Sequence, residues 1–306
     1  MGRLFFQPQD FNNRKQKTEN RKPFFQSIRI LLAMIKIEHT VFALPFAFMG
    51  ALLAAQGLPR GRQALFILLA MVGARSAAMA FNRLVDAPYD ARNPRTQNRA
   101  LPQGLISRTA TIQFIIISAL LFFWAAAQLN RLCLMLSPLA LTVVLLYSYT
   151  KRFTWASHLW LGAGLAIAPS AGWIAVRGDL TLVPVVLSAA VLLWVAGFDI
   201  LYALPDEEFD RHMELYSCPR RFGRVGAMRL AAILHVGAGV GFILTGWLAG
   251  LGWLYVIIAL LAGILLLVEH SLLSPHDLSR LNHAFFTLNS LVGVLLGLAT
   301  LFSLWP

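Results

Sequence analysis

The chain is poor in charged residues. Only 13% of its 306 residues are Asp, Glu, Lys or Arg, whereas a water-soluble domain has about 25%. Hydrophobic residues make up 58% of the chain, and the mean hydropathy is +0.66. This composition excludes an intrinsically disordered chain, which needs low hydrophobicity. It predicts an integral membrane protein that lies mostly within the bilayer.

Several functional motifs are missing. The two cysteines, Cys133 and Cys218, form neither a CxxC pair nor a zinc-ligand spacing, so no disulfide framework or zinc site is expected. The sequence has no HExxH, no Walker A motif and no GxGxxG, and so does not support ATP-driven transport or dinucleotide chemistry. The polar, basic N-terminal segment lacks the apolar run and cleavage site of a signal peptide.

Nine long apolar runs indicate transmembrane helices, each close to the roughly 20 residues that a bilayer requires. The runs cover residues 38–57, 64–86, 108–128, 132–149, 156–176, 182–203, 226–248, 252–270 and 283–304. They are continuously apolar rather than alternating, which excludes a β-barrel. The sequence therefore predicts an all-α, polytopic protein with a basic N-terminal segment, 1–37, and a single transmembrane domain, 38–306.

Positive charge predicts the orientation of these spans. With the N-terminus in the cytoplasm, the inner segments and their borders hold 21 of the 26 Lys and Arg residues, whereas the outer loops hold four. Such an excess is typical of cytoplasmic loops. The prediction is a cytoplasmic N-terminus and a C-terminus on the other side. The net charge of +12 then reports topology, and no nucleic-acid partner is expected.

Acidic residues concentrate at two helix ends on the predicted cytoplasmic side. The run FNRLVDAPYD ends the second span and places Asn82, Asp86 and Asp90 at i, i+4 and i+8, on one helical stripe. The run GFDILYALPDEEFD ends the sixth span, and its acids are Asp199, Asp206, Glu207, Glu208 and Asp210. Glu207 and Glu208 are interpreted as ordinary first-turn acids that follow Pro205.

Stacked carboxylates repel one another unless a cation lies between them. Mg²⁺ prefers one or two carboxylates together with substrate phosphates. The spacing therefore predicts that Mg²⁺ and a diphosphate bind at Asp86, Asp90, Asp206 and Asp210. On this interpretation, removing one acid leaves the metal-free protein as stable as before or slightly more so.

Cations border the same helix ends. Lys36 precedes the first span, and Lys151 and Arg152 follow the fourth in YSYTKRFTW. These three residues are candidates for diphosphate contact, since basic side chains form charge-assisted hydrogen bonds with phosphate. Topology determination is the alternative explanation for their positions.

Two motifs resemble those of the UbiA superfamily of intramembrane prenyltransferases. The run N82-R-L-V-D86-A-P-Y-D90 is similar to its first aspartate-rich motif, NxxxDxxxD. The run D199-I-L-Y202-A-L-P-D206-E-E-F-D210 is similar to the second, in which DxxYxxxD overlaps DxxxD. The similarity covers nearly the whole chain and includes YTKRFT and RTQNRALPQG. Within the superfamily, the sequence most resembles the bacterial 4-hydroxybenzoate polyprenyltransferase-like branch.

This resemblance implies a UbiA-like bundle in the bacterial inner membrane, with its active site on the cytoplasmic side. The implied reaction is Mg²⁺-dependent transfer of a polyprenyl group from polyprenyl diphosphate to an aromatic acid of the 4-hydroxybenzoate type, in quinone biosynthesis. Asn82 would ligate or position the metal, and Asp199 or Tyr202 would orient the acceptor or assist proton removal. A dihydroxynaphthoate of a menaquinone pathway is the alternative acceptor. A secondary transporter is a remote alternative. Its ionisable groups would lie near the membrane midplane, whereas those of this sequence cluster at one face.

Overall fold

The computed structural model describes residues 30–34, 40–281 and 284–305. Regular structure in these residues is helical. In chain order the helices are α1 (Thr40–Ala55), α2 (Gly61–Asp90), α3 (Arg108–Leu129), α4 (Arg131–Thr150), α5 (Ser157–Arg177), α6 (Leu182–Tyr202), the short α7 (Glu207–His212), α8 (Cys218–Leu248), α9 (Trp253–Ser271) and α10 (Asn289–Ser303). A 3₁₀ turn, Leu204–Asp206, precedes α7, and a π-helical turn, Ala284–Leu288, precedes α10.

Eight helices of the described chain are long and apolar enough to cross a membrane. They are α2 to α6, α8, α9 and the segment Phe286–Ser303, which includes α10. The apolar part of α1, Ala43–Ala55, is shorter. The chain is therefore an all-α, multi-pass membrane protein, as the composition predicted. The count of nine crossings and the side of the N-terminus stay predictions.

Two helices extend well beyond their predicted spans. The second span was predicted to end at residue 86, but α2 continues through Pro88 to Asp90. Proline is tolerated there because it lacks only one backbone donor, and the helix ends two residues later. The seventh span was predicted to begin at residue 226, whereas α8 begins at Cys218 and is interrupted at Gly223, whose φ of 68° is left-handed.

Polar side chains define several helix ends. Ser107 Oγ accepts a hydrogen bond from the backbone N–H of Ala110 at the start of α3, and Asn130 Oδ1 accepts one from Cys133 at the start of α4. Such N-caps satisfy backbone donors that have no partner within the helix. At the other end of α5, Gly178 adopts φ 74°, a left-handed conformation that glycine allows without steric cost.

Small residues allow α1 and α5 to pack closely. A Cβ atom on Gly172 would lie 2.0 Å from the carbonyl oxygen of Ala47, and one on Gly50 would lie 2.0 Å from that of Pro169. Close backbone approach of this kind is a common way to associate helices in a bilayer. Successive long helices pack against one another, and α10 returns to α1, which closes the bundle.

The ends of α2, α4 and α6 meet at one end of the bundle. Arg152 Nη2, just beyond α4, donates a hydrogen bond to the carbonyl oxygen of Val85 in α2 at 2.9 Å. The backbone N–H of Tyr216, in the connection after α7, donates to the carbonyl oxygen of Lys151 at 2.6 Å. The segments that carry both acidic motifs are thereby held against each other.

Candidate active site

The first acidic motif forms the last turns of α2. Asp86 and Asp90 are buried, with 4% and 6% of their surface exposed. Asn82 Nδ2 donates a hydrogen bond to Asp86 Oδ2 at 2.9 Å, one helical turn away. All three residues line one cavity, as the shared stripe predicted.

The second motif continues from α6 through the 3₁₀ turn into α7. Asp199 and Tyr202 belong to α6, Asp206 ends the 3₁₀ turn, and Asp210 lies within α7. All four line the same cavity as the first motif. Burial raises the pKa of Asp210 above its usual range, although its hydrogen bond to Ser217 acts in the opposite direction. The structure therefore brings together the four acids that were predicted to act as a unit.

Cations of the protein neutralise three of these acids. Arg99 Nη1 lies 2.7 and 2.8 Å from the two carboxylate oxygens of Asp90, and Arg95 forms an ion pair with Asp206. Lys151 Nζ lies 3.3 Å from Asp86 Oδ2. Each of these carboxylates has a basic partner. The structure therefore lacks the uncompensated repulsion between stacked acids that the sequence suggested.

The three basic residues that were predicted to bind diphosphate differ in their position relative to the cavity. Lys151 lines the cavity beside Asp86. Arg152 contacts Val85 through its guanidinium, which also stacks on the rings of Tyr89 and Tyr149. Its Nη2 atom lies 3.9 Å from Asp86 Oδ1, but Arg152 does not line the cavity. Lys36 lies outside the described residues, and its contact with a diphosphate stays a prediction.

Sequence reasoning missed two arginines in the cavity wall. Arg83 is one of the 21 basic residues that were counted as inner-side topology signals, but it is 8% exposed and lines the cavity. Within the described part of the chain, no carboxylate lies within ion-pair distance of its guanidinium. Arg75 also lines the cavity, seven residues before Asn82 on α2. A spacing of about two turns places Arg75 on the same side of α2 as Asn82, and this was the pattern that could have revealed it.

His158 was also missed, because its spacing to other residues indicated no metal motif. His158 is the second residue of α5, is 5% exposed and lines the cavity. Its Nδ1 atom is 2.7 Å from Asp199 Oδ2. The two residues are 41 positions apart, so no local pattern could reveal the pair.

Glu207 and Glu208 differ from the cavity acids. Glu207 pairs with Arg211 and Arg224 at 3.1 and 3.3 Å, and Glu208 is exposed at the surface of α7. Neither lines the cavity. Their positions agree with the interpretation as first-turn helix acids.

The cavity acids fit Mg²⁺ in the presence of a phosphate ligand. Asp86 Oδ1 is buried and accepts no hydrogen bond from a described residue. Mg²⁺ takes oxygen ligands and usually keeps waters or substrate phosphates beside one or two carboxylates. In the described residues, no group of three acidic, histidine or cysteine side chains is arranged to hold one ion. The set therefore suits an ion that is shared with a diphosphate rather than a closed all-protein site.

Behind the acids, the cavity extends into the apolar interior. Its volume is about 900 Å³, near the upper end of typical ligand pockets. Its wall runs along α2 from Asp90 back to Ile67 and is formed mainly by small and apolar side chains of α2, α4 and α5. One end is thus lined with charge, and the remainder suits a long hydrocarbon chain.

Comparison with known proteins identifies relatives over most of the chain. The model of the UbiA prenyltransferase family matches residues 43–291. Proteins named 4-hydroxybenzoate octaprenyltransferase from Salmonella paratyphi B and Salmonella newport are each 30% identical to this chain over 256 residues. The matched region covers 82% of this chain and 86% of each relative.

Solved structures share the architecture. The apo structure of a UbiA homolog from Aeropyrum pernix has a TM-score of 0.79 and 34% sequence identity, covering 88% of this chain and 99% of its own. A UbiA homolog from Archaeoglobus fulgidus, bound to GPP and Mg²⁺, has a TM-score of 0.70 and covers 89% and 99% of the two chains. At 19% identity, this second likeness shows the fold alone.

Proposed function

Because the chain belongs to the UbiA prenyltransferase family, we propose that it transfers a polyprenyl group from polyprenyl diphosphate to an aromatic acid in quinone biosynthesis. A single observation carries this proposal. The acids of two motifs more than a hundred residues apart meet at the charged end of a cavity whose remaining wall is apolar. Such a cavity matches a substrate with a diphosphate head and a hydrocarbon tail.

The charged end would hold the diphosphate. Bound Mg²⁺ would be held by Asp86, Asp90, Asp206 and Asp210, and would neutralise the charge that develops on the leaving diphosphate. Arg83 and Lys151 line the same end and would contribute positive charge to the phosphate oxygens. Asn82 holds Asp86 in place through its amide. Arg95, Arg99 and Lys151 now neutralise the acids, and they would contact phosphate once the acids bind metal.

The apolar end would hold the prenyl tail and keep water from the reacting carbon. When the bond between the prenyl C1 atom and the diphosphate oxygen breaks, the electron pair leaves with the diphosphate and an allylic cation remains. An electron-rich ring carbon of the acceptor then forms the new C–C bond, and that carbon loses its proton to a base, for which Asp199 and Tyr202 of the cavity wall are the candidates. Excluding water protects the cation from hydrolysis.

The acceptor would bind between the two ends. Arg75 lies about 10 Å along α2 from Asn82, on the apolar side of the acids. Arginine inside a membrane span is costly and marks a substrate path, and its guanidinium pairs well with carboxylate. Asp199 and Tyr202 lie nearer the charged end and would orient the acceptor hydroxyl. An aromatic acid with a carboxylate and a hydroxyl, such as 4-hydroxybenzoate, matches this arrangement.

We further propose that residues 38–306 form the catalytic domain in a bacterial inner membrane. The acids would then face the cytoplasm, and residues 1–37 would form a basic cytoplasmic segment. The clustering of ionisable groups at one end of the bundle supports this orientation, because an excess of Lys and Arg favours a cytoplasmic location for that end.

An acceptor panel tests the proposal. Purified protein in liposomes is given labelled polyprenyl diphosphate and Mg²⁺ with 4-hydroxybenzoate, 4-hydroxybenzamide or a dihydroxynaphthoic acid. We expect prenylated 4-hydroxybenzoate, and a lower kcat/KM by about tenfold for the uncharged amide. In Arg75→Gln that discrimination should disappear, while the KM for the prenyl diphosphate is unchanged. Exclusive use of the dihydroxynaphthoic acid would change the assigned acceptor, and transfer to none of the three would refute the aromatic acceptor.

A further inference from the structure

His158 and Asp199 form a buried pair in the cavity wall. His158 Nδ1, on α5, lies 2.7 Å from Asp199 Oδ2, on α6. Only 7% of the histidine side chain and 17% of the aspartate side chain are exposed. Both residues line the cavity, but neither belongs to the four acids proposed to bind metal. The pair therefore needs a separate explanation.

The other ring nitrogen of His158 has a partner that fixes its protonation. The backbone N–H of Cys218, the first residue of α8, donates a hydrogen bond to His158 Nε2 at 3.2 Å. A backbone N–H can only donate, so Nε2 must be the unprotonated, accepting nitrogen. Nδ1 then carries the proton and donates it to Asp199 Oδ2. The two contacts thus assign opposite hydrogen-bond roles to the two ring nitrogens.

The bond also completes the start of α8. The first N–H groups of a helix have no partner within the helix. Ser217 Oγ accepts from the N–H of Arg220, and His158 accepts from that of Cys218. His158 therefore ties the α8 terminus to Asp199 across the cavity wall. Asp199 lines the cavity and its Oδ2 atom contacts His158, so Oδ1 is the carboxylate oxygen that a ligand would contact.

We infer that His158 is a positioning residue of the acceptor site, which holds the Asp199 carboxylate so that Oδ1 can accept a hydrogen bond from the acceptor hydroxyl. The inference deepens the proposed function and rests on it. His158 cannot itself take a proton from the acceptor while Cys218 occupies Nε2. His158 acts on the acceptor only through Asp199. This role requires a side chain that donates one hydrogen bond to Asp199 and accepts one from Cys218, and it does not require an ionisable ring.

This requirement separates two substitutions. In His158→Gln, the side-chain amide can donate to Asp199 through its NH₂ group and accept from Cys218 through its oxygen. In His158→Met, a side chain of similar length can do neither. We expect His158→Gln to keep acceptor kcat/KM within about threefold of the parent, and His158→Met to lose about 10- to 100-fold, the effect of a lost hydrogen bond to a charged group. In both variants the KM for prenyl diphosphate should stay within about twofold, because this pair does not hold the diphosphate.

A double-mutant cycle tests whether His158 acts through Asp199. In the Asp199→Asn background, His158→Met should cause little further loss, since the carboxylate that it positions is gone. Thermal unfolding of each variant identifies folding defects, and His158→Gln provides the folded comparison if His158→Met is unstable. Equal loss in the Gln and Met variants, full activity of His158→Met, or additive losses in the cycle would each overturn the inference.

A measurement without substrate distinguishes this inference from the proposed function. Side-chain ¹⁵N NMR of histidine-labelled protein should show a neutral Nδ1–H signal for His158, identified by its disappearance in His158→Gln. A protonated ring or the opposite tautomer at His158 would overturn the positioning role. If the tautomer is present but no aromatic acid is prenylated, the proposed function fails and the geometry of the pair still stands.

Discussion

Replacing Asp86 by alanine gives a sharp test of the acidic site. Asp86 is 4% exposed, and its Oδ2 atom contacts Asn82 at 2.9 Å and Lys151 at 3.3 Å. If Asp86 helps to bind the metal and the leaving diphosphate, its loss removes charge stabilisation that is greatest in the transition state. We expect a loss of about 3 kcal/mol, which is about a hundredfold in rate.

The same substitution should also affect stability, and the structure reverses the sign that the sequence suggested. Repulsion between stacked acids would make Asp86→Ala as stable as the parent or slightly more so. Asp86 is instead paired with Lys151, and Arg83 is buried nearby. Removing the carboxylate leaves these cations less compensated. Because the Lys151 side chain is 36% exposed and partly screened by water, we expect a destabilisation of only about 1 kcal/mol.

The assay compares initial rates of prenyl transfer in liposomes with thermal unfolding of the same preparations. Glu208→Ala is the matched control, because Glu208 is an exposed acid two residues beyond Asp206 that does not line the cavity. It should keep activity within about twofold of the parent and lose only a few tenths of a kcal/mol of helix stability. A well-folded Asp86→Ala that turns over at the parental rate would refute the assignment of this stripe to the active site.

Three further predictions concern metal, topology and packing. EDTA should abolish prenyl transfer and added Mg²⁺ should restore it; undiminished product in chelator would contradict the metal assignment. A reporter fused after Pro306 should be periplasmic and one inserted near Pro94 cytoplasmic, and finding both on one side would disprove the nine-span topology. Gly172→Ala should lower the unfolding temperature by an amount equivalent to about 1–3 kcal/mol, because its Cβ would lie 2.0 Å from Ala47 O. Gly263→Ala, which meets no atom within 4 Å, is the control and should be neutral or stabilising.

The membrane fold and the position of both acidic motifs could be predicted from the amino-acid sequence alone. Each depends on local properties: a run of apolar residues long enough to span a bilayer, and acids repeated at helical spacing. Six of the nine predicted spans agree with a helix to within two residues at each end. The extension of α2 through Pro88 was harder to foresee, since proline near a helix end is compatible with either termination or continuation.

The contacts of each charged side chain, in contrast, depend on how the helices pack. The pairing of Arg95 with Asp206 joins residues 111 positions apart, and His158 reaches both Asp199 and the N–H of Cys218 on different helices. In the sequence, Arg83 cannot be distinguished from an arginine that only determines topology. Its place in the cavity wall depends on how α2 is rotated within the bundle. Helix rotation and packing are set by contacts between distant segments, such as the close approach of Gly172 to Ala47. Local patterns locate the acids, but which cation neutralises which acid is a consequence of that packing.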